Sequence, residues 1–127
     1  MNVVDSSGWL EYFAGGPQAD FFAHAIESTD KLILPSVCVA EVFKRVLQRR
    51  GEADALQAAA LMGQERIVDL DFALALTAVK IGHECRLPLA DGIVLAAARA
   101  HGATLWTQDA DFEGFDGVRF VKKKAAR

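Results

Sequence analysis

The sequence predicts an α/β domain, a mostly parallel sheet of about five strands with helices on both faces in a three-layer α/β/α arrangement. Two observations carry that expectation. Short apolar runs of strand length alternate along the chain with longer stretches whose apolar residues recur at helical spacing, the pattern of a parallel sheet covered on both sides. Glycine and proline fall mostly between these segments.

The elements follow in order. "NVVD" is a short apolar run ending in an acid, and "SSGWLEYF" offers hydroxyl N-caps ahead of Trp9, Leu10 and Phe13 at helical spacing. "GGP" at 15–17 breaks the chain, and 18–27 is expected to form a second helix with Phe21, Phe22, Ala25 and Ile26 on its buried side. "KLILP" is a second, buried strand. Beyond Pro35, Ser36 is placed to cap a helix running to about Arg50, with Val39, Val42, Phe43, Val46 and Leu47 as its apolar stripe and Gly51 as its stop. Residues 52–63 are rich in Ala and Leu and read as a helix, "RIVDL" as a third strand, and 72–86 as another helix. "LPLADGIVLAAARAHG" starts after Pro88, runs helical through Ala100 and stops at Gly102. "ATLWT" and "VRFV" supply the fourth and fifth strands.

At 127 residues and 52% hydrophobic content, the chain is expected to form one domain over 1–121, followed by a basic tail over 122–127. The longest uninterrupted apolar stretch, Ile93 to Ala98, is too short to span a bilayer, and Asp5 spoils a signal-peptide start. A soluble, cytoplasmic protein is expected. Cys38 and Cys85 form no CxxC pair, which favours free thiols over a disulfide or a zinc site. The net charge of -3 hides an asymmetry: all 17 acids precede residue 118, against nine Lys and Arg there, leaving -8, while Arg119, Lys122, Lys123, Lys124 and Arg127 carry +5. The tail reads either as a solvated terminus or as a phosphate-contacting arm.

In parallel sheets, ligands collect beyond the carboxyl ends of the strands. Asp5 ends the first strand, Glu41 lies in the second turn of the helix after the second, Asp91 opens the helix before the fourth, and Asp109 follows the fourth. Taken singly, each acid reads as a cap, a turn residue or half of a salt bridge. Taken together they share one edge, where like charges oppose folding unless a cation neutralises them. An all-carboxylate set suits Mg²⁺ or Mn²⁺. Ions held in this way lower the pKa of bound water and stabilise charge building on a phosphate, the chemistry of many nucleases. Ser6 and Thr107 are placed either to hydrogen-bond a carboxylate or to cap and turn the chain. Asp111 reads as a turn residue, Glu11 as solvent-facing, Trp9 and Trp106 as core, and His24, His83 and His101 as surface or core rather than ligands.

With these residues in view, "VVDSSGWLEYF", "LPSVCVAEVFKRV" and "LPLADGIVLAAARAHGATLWTQDADF" resemble the PIN-domain ribonucleases over essentially the whole chain, in particular the VapC-like toxins of bacterial toxin-antitoxin pairs. The resemblance implies a Mg²⁺- or Mn²⁺-dependent endoribonuclease, a homodimer, and inhibition by a cognate VapB-like antitoxin lying in a groove by the active site. It assigns the metal-binding and catalytic quartet to Asp5, Glu41, Asp91 and Asp109, with Ser6 and Thr107 supporting. Lys44, Arg45, Arg49 and Arg50, on the helix that bears Glu41, are candidates for RNA phosphates; a solvated helix end accounts for Arg49 and Arg50 equally well.

Two other acidic-pocket α/β classes fit poorly. A receiver domain of two-component signalling wants paired acids after the first strand and a lysine after a late one, and "VVDSS" and "LWTQD" offer neither. A haloacid-dehalogenase-like phosphatase wants a second acid where this chain has Ser7. The alternative of another kind is a PIN-like fold serving as a catalytically weak binding module.

Overall fold

A computed structural model describes residues 1–125; positions 126 and 127 of the basic tail lie outside the described residues. Five strands form the sheet: β1 (Asn2–Val4), β2 (Leu32–Pro35), β3 (Arg66–Val68), β4 (Thr104–Thr107) and β5 (Val118–Phe120). Six α-helices connect and cover them: α1 (Ser6–Ala14), α2 (Ala19–Ile26), α3 (Ser36–Arg50), α4 (Glu52–Met62), α5 (Phe72–Cys85) and α6 (Leu89–Ala100). Two single 3₁₀ turns, Thr29–Lys31 and Ala110–Phe112, precede β2 and follow β4. The strand order is β3-β2-β1-β4-β5 and every pair is parallel, so all five carboxyl ends emerge at one edge. The three-layer α/β/α fold is the one the sequence predicts.

Burial follows position in the sheet. The central strands contribute Val3, Val4, Ile33, Leu34 and Leu105, all fully buried, while edge strand β3 leaves Arg66 and Ile67 exposed. Residues alternate across the sheet. On one face Trp106 meets the Phe21 ring of α2 at 5.1 Å between centroids, and its indole nitrogen donates to Asn2 Oδ1 at 3.0 Å. Gly8 lets this face close: a Cβ there would stand 2.5 Å from Val4 Cγ1 and 2.6 Å from the Phe22 ring. Trp9 and Trp106 are core residues, as expected. So is the thiol of Cys38, while Cys85 is half-buried, and both cysteines are free.

Two helix starts differ from the sequence reading. The N-cap of α1 is Asp5, whose extended backbone and carboxylate accepting from Gly8 N leave Ser6 as the first helical residue. The N-cap of α3 is Pro35, which has no side-chain acceptor to offer, so Ser36 begins the helix rather than capping it. Among the described residues no helix is long and apolar enough to cross a membrane.

Candidate active site

Asp5 leaves β1 at the carboxyl edge and is only 4% exposed. Its Oδ1 accepts from Gly8 N at 3.0 Å and Ser7 Oγ at 2.7 Å, and its Oδ2 accepts from Thr107 Oγ1 at 2.6 Å. Burial nonetheless pushes its pKa up to about 6, against the pull of those hydrogen bonds and with a push from Asp109. Thr107, the last residue of β4 and fully buried, also accepts from Asp109 N at 2.9 Å. One hydroxyl therefore joins the loops leaving β1 and β4, that of Thr107, which the sequence names together with Ser6.

Asp109 caps the 3₁₀ turn after β4, accepting from Asp111 N at 2.9 Å. The turn capping expected of Asp111 is thus done by Asp109, while the exposed Asp111 brings its carboxylate near those of its neighbours. Asp91, Asp109 and Asp111 each bring an oxygen within 4.8 Å of the others. Asp5 and Glu41 lie outside this tightest trio but act on it. The pKa of half-buried Asp91 rises to about 7, from burial first, then from the charges of Asp109, Glu41, Asp5 and Asp111. Glu41, in the second turn of α3, is half-buried. Behind these groups the wholly buried Cys38 thiol is pushed well up by burial and by Asp5, Glu41 and Asp91, so it is a neutral packing group. Of the four sequence-predicted carboxylates, Asp91 and Asp109 stand in the tightest group together with Asp111, which the sequence reads as a turn residue, while Asp5 and Glu41 reach Asp91 through their charge.

Asp91 owes its position to a close helix crossing. A Cβ on the next residue, Gly92, would lie 2.8 Å from Ala78 O and 3.3 Å from Gly82 Cα, so α5 and α6 approach backbone to backbone beside the carboxylate. Besides Thr107, the hydroxyl supporting Asp5 belongs to Ser7, whereas Ser6 makes no side-chain hydrogen bond to the carboxylates among the described residues. Glu11 is also corrected: half-buried, it accepts from Gln18 N at 2.7 Å and ties the α1–α2 turn instead of facing solvent.

The four basic candidates divide. Arg45, Arg49 and Arg50 line a groove of about 790 Å³ between α1, α3 and α4, with Leu10, Phe13 and Leu61 as apolar walls. Arg50 is paired there with Asp54 at 2.9 Å. Lys44 is exposed on α3 outside the groove lining. His24, His83 and His101 are all exposed.

The fold and site define the class: a parallel α/β sheet with an acidic cluster, Asp91, Asp109 and Asp111, beyond the carboxyl ends of its strands. The chain belongs to the PIN-domain family, whose family model, PIN domain, matches residues 3–118. The same fold recurs in solved structures. A toxin-antitoxin complex from Klebsiella pneumoniae is 22% identical, with 94% of this chain and 96% of that one covered and a TM-score of 0.74. VapC20 of Mycobacterium tuberculosis, described as a sarcin-ricin loop cleaving toxin, is 23% identical over 94% and 99% of the two chains, with a TM-score of 0.75. VapBC2 from Rickettsia felis, bound to a DNA fragment from its promoter, is 14% identical over 95% and 97%, with a TM-score of 0.73. No curated protein matches the sequence.

Proposed function

We propose that the protein is a metal-dependent endoribonuclease toxin that hydrolyses RNA phosphodiester bonds and is held in check by a cognate VapB-like antitoxin. The observation that carries this reading is the crowding around Asp91: four further carboxylates raise its pKa beyond what burial alone does, an arrangement that a divalent cation relieves. Family membership supports the same conclusion, as do fold neighbours described as toxins.

Asp5, Glu41, Asp91 and Asp109 would hold Mg²⁺ or Mn²⁺, joined by Asp111, whose oxygen lies with those of Asp91 and Asp109. The donor set fits: it is all oxygen, with Asp91 and Asp109 half-buried and Asp111 exposed. When bound, such an ion supplies a nucleophile at neutral pH and stabilises charge on the phosphate in an in-line displacement. Thr107 and Ser7 keep the Asp5 carboxylate in one orientation, and the Asp109 backbone is fixed by the same threonine.

The antitoxin reading draws on the groove between α1, α3 and α4, whose apolar walls and arginines suit an amphipathic segment carrying acids. A homodimer is supported by α5. Phe72, Leu76 and Val79, spaced one helical face apart, are 82%, 57% and 56% exposed. Asp69 and Asp71 stand at the amino end of this stripe, and Lys80, His83 and Arg86 stand toward its carboxyl end. A two-fold axis near Leu76 sets each end against its opposite, the self-complementarity that an isologous contact requires. The cell compartment proposed is the cytoplasm, where the RNA substrate and antitoxin would be met.

The test is cleavage of single-stranded RNA by purified protein with Mg²⁺ or Mn²⁺, with chelator, and after Asp91→Asn. Cleavage in the first case alone supports the enzyme. Metal-independent RNA binding with no cleavage in any arm favours the second reading, a PIN-like binding module.

A further inference from the structure

We infer that Lys122, Lys123 and Lys124 form a phosphate-binding arm that holds the RNA backbone beside the carboxylate site, an inference that rests on the ribonuclease reading above. The sheet register supplies the placement. Thr107 and Phe120 are paired neighbours at the ends of β4 and β5, and Val121 N donates to Thr107 O at 3.0 Å. Two residues beyond Thr107 stands Asp109, and two residues beyond Phe120 stands Lys122. Both segments leave the same edge of the sheet from paired strand ends, which lie ~4.8 Å apart at Thr107 and Phe120.

The arm is anchored. Gln18, 8% exposed at the start of α2, donates from Nε2 to Lys122 O at 2.9 Å, while its own backbone N–H is held by Glu11. That bond ties the backbone of Lys122 to the protein 104 residues earlier and leaves its side chain free. Just before it, the Arg119 guanidinium lies 4.2 Å from the centre of the Trp106 ring, occupied with packing. The three lysines are exposed, and among the described residues the ion pair found is Arg50–Asp54, so none of them is neutralised by an acid.

Electrostatics explains why cations are needed here. The chain before residue 118 carries -8, and the carboxylates crowd the edge that a polyanion must approach. Local positive charge offsets that repulsion and steers the strand. Two residues span at most ~7 Å of chain, so Lys122 and Lys124 lie close enough to meet neighbouring phosphates of one strand. Phosphate contacts of this sort position the strand without reading its bases.

The experiment measures binding of a single-stranded oligoribonucleotide as a function of salt, in the Asp91→Asn background to keep the RNA intact. It compares the chain with a variant carrying Lys122→Gln, Lys123→Gln and Lys124→Gln, and with a control carrying Lys31→Gln, Arg66→Gln and Arg99→Gln, three exposed cations outside the carboxylate site, the groove and the α5 face. Loss of three phosphate contacts is expected to lower the slope of log K against log salt by about 2, and to weaken binding at least ~tenfold at ~0.15 M salt. The control, with the same net charge, is expected to change affinity less than ~threefold. With Asp91 intact, the tail variant should show a raised KM and a kcat within ~twofold of the original, because the arm touches no reacting atom. An unchanged salt slope in the tail variant, an equal loss in the control, or absence of RNA binding by the parent overturns the arm. RNA cleavage with an unchanged slope removes the arm and keeps the enzyme; tail-dependent binding without cleavage in the Asp91-intact protein does the reverse.

Discussion

Replacing Asp5 with Asn should stabilise the metal-free protein at pH 8 and destabilise it at pH 4. Burial moves the Asp5 pKa from 3.8 to about 6. A group whose pKa is higher folded than unfolded leaves the native state binding more protons, so stability is full below ~4 and declines as pH rises through the folded value. At about 1.4 kcal/mol per tenfold, holding the ionised carboxylate at pH 8 costs ~3 kcal/mol, which Asn removes. Asn keeps one oxygen for Gly8 N and Ser7 Oγ but turns an amide toward Thr107, whose buried hydroxyl hydrogen then loses its acceptor, at ~1 kcal/mol. The net gain at pH 8 is therefore about 2 kcal/mol, or ~8 °C in Tm for a chain of this size. At pH 4 the charge is largely gone in both proteins and only the loss remains, so Tm should fall by ~4 °C. Thermal melts in chelator at the two pH values decide the matter. A Tm change of the same sign and size at both would refute the electrostatic account of this site.

Other substitutions probe the neighbouring features. Asp91→Asn should abolish metal-dependent RNA cleavage, a loss of at least ~100-fold, with an unchanged circular dichroism spectrum, because the side chain supports chemistry and not the core. Thr107→Val leaves Asp5 Oδ2 and the Asp109 amide without their partner and should cost roughly 2–3 kcal/mol in urea unfolding, whereas Thr107→Ser should recover most of it. Gly92→Ala meets the Ala78 carbonyl, which belongs to helix backbone and cannot yield cheaply; a loss of ~1–3 kcal/mol and reduced cleavage are expected, and full stability would count against the close crossing. Leu76→Glu should convert a dimer to monomer in light scattering without loss of helicity, and a monomeric parent would remove α5 as the contact.

The elements were largely legible because each carries its own punctuation. Strands such as "LILP" are apolar throughout, and the stripe on α3 and the Gly102 stop mark their helices locally. The acids were legible as a set for a related reason: each lies at a strand's carboxyl end or in the early turns of the helix beyond it, and parallel strands bring such places to one edge. The order β3-β2-β1-β4-β5 was not legible, since it depends on pairings between residues far apart in the chain. Nor were the hydrogen-bond roles of Ser6 and Ser7, or of Asp109 and Asp111. Adjacent residues of similar chemistry differ there only in backbone angles that tertiary packing selects. Glu11 was misread for the same reason, because its partner Gln18 sits across a turn whose closure depends on Gly15 adopting φ 61°.

The first strand made is also the middle one of the sheet. Asp5 leaves the ribosome well ahead of the threonine that fixes its carboxylate, which comes 102 positions later. Long-range closure of this sort is slow and must wait for the whole intervening chain. A translation product stalled before β4 thus lacks a completed pocket, and a nuclease of the proposed kind would become dangerous to its host only once its fourth strand had emerged and docked.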